Sequence, residues 1–61
     1  MTDEEVRIGI SIYLEDKVID SLENNFNVVD GAILEWNFGA IEQPTIEDLE
    51  ACLAIYNARP I

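Results

Sequence analysis

The sequence predicts a small α+β domain spanning residues 1–61, a β-hairpin joined to at least one helix. Asp30-Gly31, set between apolar stretches that alternate, is a two-residue hairpin turn, because Gly takes positive φ freely and Asp tolerates it. Thr45 with Asp48 three residues on is a capping box in its acidic form, and Thr2 with Glu5 is a second one.

The opening segment sends two signals. Asp3, Glu4 and Glu5 follow Thr2 and suit the positive end of a helix dipole. Yet Val6, Ile8, Ile10, Ile12 and Leu14 keep the strand period, and four of these five are β-branched. As a helix, the segment sets Val6, Ile10 and Leu14 on one row with Val18 and Leu22, and Ile8, Ile12 and Ile19 opposite, so it needs cover on two sides. Val18, Ile19, Leu22 and Phe26 then share a helical stripe, with Asn24-Asn25 as the exit. The residues thus allow one helix from about 3 to 24, giving α-β-β-α, or a strand at 6–14 and a helix at 15–24, giving β-α-β-β-α.

After the turn, Ala32, Leu34, Trp36 and Phe38 alternate with Ile33, Glu35 and Asn37, which predicts a strand with the first set facing inward. Phe26 and Val28 line the same face from the strand before, and Gly39 closes the second strand. In the last helix Ile46, Leu49, Cys52, Leu53 and Tyr56 form the inward stripe, while Ile55 falls outside it. Arg59 lies near the negative helix end and Pro60 stops the helix.

Composition limits the chemistry. Thirteen Asp and Glu against three Lys and Arg give a net charge of -10, which repels phosphate and argues against direct nucleic-acid binding and against anionic membranes. The longest apolar run, Ala51 to Tyr56, is six residues, far short of the roughly 20 of a membrane span. An acidic start in place of a basic one does not read as a secretory leader, and a single cysteine, Cys52, makes no internal disulfide, so a reducing compartment is expected. No histidine is present, so a catalytic triad has no base, and Lys17 beside Ser21 lacks an oxyanion device. Glu47, Asp48 and Glu50 read as a solvated helix start and not as a metal site. No enzymatic activity, cofactor or metal is expected. Trp36 reads either as an interface anchor or as a core residue, and Tyr13 and Tyr56 suit a wet edge.

The stretch Trp36-Asn37, a short loop, Pro44-Thr45, then Asp48-Leu49-Glu50 resembles the W-N…P-T-x-x-[DE]-L-E pattern of small tailed-phage proteins, the XkdW-like and tail-assembly accessory type. The likeness runs from about Phe26 to Tyr56. Here Leu53 and Tyr56 stand where that family often carries tryptophans. The resemblance implies an α-β-β-α arrangement, an antiparallel hairpin packed by two helices, and so favours a first helix. It also implies a non-enzymatic structural or tail-assembly accessory protein in the host cytoplasm or virion, acting through a protein partner or self-association. The charge supports an alternative, a small acidic inhibitor of a host nucleic-acid enzyme, with Glu15, Asp16, Asp20 and Glu23 gathered on one helical face toward a basic protein surface. The residues expected at a partner contact are Trp36, Ile55, Tyr56 and those four carboxylates.

Overall fold

The computed structural model describes residues 1–15, 17 and 25–59. Its elements run α1 (Asp3–Leu14), β1 (Asn25–Val29), β2 (Ala32–Asn37) and α2 (Ile46–Ala58), the α-β-β-α order. The strands pair antiparallel. The backbone of α1 approaches both α2 and the hairpin, so α1 is the central element.

The helical reading of the first segment prevails because its ends are satisfied and its stripe is covered. The Thr2 hydroxyl accepts from the Glu5 amide at 3.2 Å, and the Thr2 amide donates to Glu5 Oε1 at 3.0 Å. These bonds from Thr2 hold the Glu5 carboxyl below its ordinary range. Val6, Gly9 and Ile10 are buried, and Ile8 and Ile12 are half-covered. The four-residue spacing of Val6 and Ile10 therefore outweighs the two-residue alternation.

The helix does not run to residue 24. It closes at Leu14, where its last carbonyls are taken by tighter partners: Ile12 O by the Glu15 amide at 3.2 Å and Leu14 O by the Lys17 amide at 3.1 Å. Tyr13 O accepts from Lys17 Nζ at 2.9 Å, a side chain occupying the place of the next helical amide. Phe26 belongs to β1, and the rest of the expected second half, with Val18, Ile19 and Leu22, lies outside the described residues.

The hairpin turns at Asp30 and Gly31 with φ of 52° and 75°, the mirror-image turn whose twist matches the strands. Gly31 also donates its amide to Asp3 Oδ1, and a Cβ there would strike the Met1 carbonyl. The register is Phe26↔Trp36 and Asn27↔Glu35, but then Val28↔Ile33. Leu34 is thus an extra residue, a bulge that inverts the alternation of β2. Ile33 and Trp36 pack toward the core, whereas Ala32 is exposed and Leu34 is 64% exposed, which corrects the expected Ala32–Leu34–Trp36 face.

Thr45 caps α2 as expected, accepting from the Asp48 amide at 3.1 Å while its own amide donates to Asp48 Oδ2 at 3.0 Å. Leu49 is buried in one cluster with Val6, Ile10 and Val28, and Leu14, Phe26, Ile33 and Trp36 pack around it. Ile46 and Tyr56, expected inward, are 54% and 47% exposed. They stand about one turn before and two turns after Leu49, beyond the strip of α2 that α1 covers.

Replacing Gly31 by Ala is expected to cost about 1–3 kcal/mol, from positive φ and the Met1 clash combined. The same change at Gly39, where a Cβ meets nothing within 4 Å, serves as the control, and urea midpoints compare the two. Glu5 gives a pH dependence of defined sign. Its folded pKa is depressed, so its contribution is present above the unfolded glutamate value of about 4.3 and is lost as pH falls through the folded value. The gap in Tm between the native chain and Glu5→Gln should close on acidification, and a gap constant to pH 3 would contradict the capping account.

Candidate interaction surface

Trp36 is fixed from several sides. Its indole Nε1 donates to Ile41 O at 2.9 Å, which ties the loop after β2 to the strand. The ring lies 4.5 Å from Phe38 and 6.3 Å from Phe26, and Tyr13 meets it edge-on at 6.3 Å. The Tyr13 hydroxyl donates to Glu42 O at 2.8 Å, a second tie on the same loop. Phe38 and Pro44, at the two ends of this loop, are buried. Trp36 therefore leaves only part of its ring accessible and is chiefly a staple between strand and loop.

Ile55 is exposed, as expected, and so is Tyr56 beside it, which agrees with its reading as a wet-edge contact residue and not with its place on the inward stripe. Ile55 lines an open groove of ≈ 330 Å³ between the C-terminal ends of the two helices, with Ile12, Tyr13, Cys52 and the Glu15–Arg59 pair. Of the described residues expected at a partner contact, this groove brings together Glu15 and Ile55, and Tyr56 and Trp36 do not line it.

Glu15 does not sit on a continuing helical face. It is the C-cap of α1, and its two oxygens accept from Arg59 Nη1 at 2.9 Å and Nη2 at 2.8 Å. The hydrogen bond to Glu15 raises the Arg59 pKa above its ordinary value, and Arg59 in turn balances the carboxylate locally. Exposure to water keeps such a pair's contribution to stability small. Asp16, Asp20 and Glu23 lie outside the described residues, so the expected acidic face is not seen as a unit. Lys17 Nζ also sits 4.2 Å from the Tyr13 ring centroid, a cation–π contact; Ser21, the partner considered for it, is outside the described residues.

A second open groove, ≈ 270 Å³, lies between the start of β2 and the start of α2, lined by Ala32, Ile33, Pro44, Ile46 and Leu49 among others. Sequence reading missed it because Ile46 was assigned to the covered stripe. Its signal was the position of Ile46 as first residue of the helix, directly after the Thr45 cap, where a side chain has no preceding turn to lie against. Among the described residues, no group of three Asp, Glu, Cys or His side chains is placed to hold a metal, and no helix is long and apolar enough to cross a membrane.

No family model, curated protein or solved structure matches the chain.

If Trp36 is a staple, Trp36→Phe removes one hydrogen bond, and the expected loss is about 0.5–1.5 kcal/mol with faster amide exchange in residues 39–43. Unchanged stability and exchange would return Trp36 to the role of a partner anchor.

Proposed function

We propose that this chain is a non-enzymatic phage structural or tail-assembly accessory protein that works through protein–protein contacts in the host cytoplasm or the virion. The observation that carries the reading is apolar surface left uncovered by the fold: Leu34, Ile46, Ile55 and Tyr56 are each roughly half exposed or more, on both the hairpin and α2. Four large side chains in that state, distributed over the hairpin and both ends of α2, leave apolar area on a short chain that a partner would cover. The Trp36-Asn37…Pro44-Thr45…Asp48-Leu49-Glu50 pattern supports the phage assignment by resemblance, and the structure gives its residues mechanical roles: Trp36 holds the loop, Thr45 and Asp48 start α2, and Leu49 enters the core.

The acidic-inhibitor reading keeps one specific observation, the net charge of -10. One of its four carboxylates, Glu15, is engaged by Arg59 and is not free to face a basic groove unaided. A tagged pull-down from producing cells, repeated at high salt, separates the two readings. Recovery of tail or baseplate proteins that persists in salt is the expected result. Recovery of a host nuclease or polymerase that is lost in salt would replace it with the inhibitor, because screening weakens charge-driven contacts first.

A further inference from the structure

The groove between β2 and α2 has an apolar floor and an exposed rim, and acidic residues flank one wall in sequence. Leu49, 1% exposed, buried Pro44 and half-buried Ile33 form the floor, and exposed Ile46 stands at the rim. At ≈ 270 Å³ it falls below the roughly 300–1,000 Å³ of a small-molecule site, and it suits one or two inserted side chains. None of the described residues lining it is charged. The loop segment that forms one wall is bracketed by exposed carboxylates, Glu42 just before Gln43 and Glu47 just after Ile46. The chain's basic residues are placed elsewhere: Lys17 and Arg59 line the other groove, and Arg7 is on α1.

Three occupants compete for an apolar groove whose wall segment is followed and preceded in sequence by exposed glutamates, on a chain of net charge -10. A second copy brings a further charge of -10 to a small apolar contact, and self-repulsion opposes it. Nucleic acid is repelled by the same charge. A basic protein segment is favoured on both counts, since its Lys or Arg residues face those glutamates while an apolar side chain enters between Ile33 and Ile46.

We infer that the β2–α2 groove docks a basic protein segment that inserts one apolar side chain over Leu49 and sets Lys or Arg against Glu42 and Glu47. The inference rests on the reading that the protein works through protein contacts, and it is independent of a phage origin. It gives Ile46 a use that its exposure at the start of α2 otherwise lacks.

The test is an NMR titration of the isotope-labelled full chain with a synthetic octapeptide of alternating Lys and Leu, with octalysine as the charge-only probe. The expected result is perturbation centred on Ile33, Ile46 and Leu49, with octalysine at least tenfold weaker. Ile46→Asp should weaken the Lys–Leu peptide at least tenfold while leaving Tm and circular dichroism unchanged, because Asp suits the first turn of a helix. The double variant Glu42→Gln, Glu47→Gln should weaken binding and flatten its salt dependence. Perturbation centred on Leu34 or on the Ile55 groove would overturn the inference, as would equal binding of octalysine. So would a doubled mass in sedimentation that Ile46→Asp abolishes, which would assign the groove to a second copy. Peptide binding at this groove without recovery of tail proteins from cells would leave the docking site standing and remove the phage reading; the converse would do the reverse.

Discussion

The fold depends on the contact between Gly9 and Leu49. A Cβ at Gly9 would lie 3.2 Å from both Leu49 Cδ2 and the Leu49 carbonyl oxygen, so the absent side chain is what lets α2 cross close to the α1 backbone. Leu49 then shares one buried cluster with Val6 and Ile10 of α1 and Val28 of the hairpin, which joins α1, β1 and α2. A chain of 61 residues has a total stability on the order of 3–9 kcal/mol, and complete burial of one leucine contributes about 1.5–3 kcal/mol of favourable transfer. One side chain therefore holds a large share of the margin. A two-stranded hairpin is marginal alone, and this one owes its persistence to the helix that Leu49 keeps in place.

A second constraint follows from the first. The Leu49 crossing fixes where α2 must begin, and the chain has to return there from the end of β2. Trp36 and Tyr13 hold that return path by hydrogen bonds to Ile41 O and Glu42 O, and buried Pro44 and the Thr45 cap deliver it to the helix. The aromatic side chains thus act as fasteners for backbone carbonyls as much as apolar filling, the amphipathic use to which Trp and Tyr are suited.

What could be read from residues alone divides along the range of the interactions. The two capping boxes and the Asp30-Gly31 turn were legible because each is complete within four residues. The bulge at Leu34 was not, since the strand pattern is intact in sequence and only the pairing with Asn27 and Val28 shows the extra residue. The end of α1 at Leu14 was hidden for a similar reason: it is set by Lys17 reaching back to Tyr13 O, and nothing in the residue types marks it. Ile46 and Tyr56 carry the inward period correctly, but period tells which face a residue is on and not how far a neighbouring helix extends to cover it. Of the expected contact residues, Ile55 was placed correctly by period, Trp36 proved to be engaged within the fold, and Glu15 was drawn to Arg59, a pairing across 44 positions that local pattern cannot show.

Charge and apolar surface act against each other here in a way that bears on function. Uncovered side chains such as Leu34 and Ile46 would favour association of identical copies if the chain were neutral. A net charge of -10 on a chain this short opposes like-with-like contact over about 8 Å at physiological salt, while leaving an oppositely charged partner attracted over the same distance. On the proposed reading the two features would divide the work, because an apolar contact is less sensitive to salt than a charged one: charge would select and steer a basic partner, and the exposed aliphatic side chains would retain it. A chain with the same apolar surface and balanced charge would lose the selection, and one with the same charge and a fully covered surface would lose the retention.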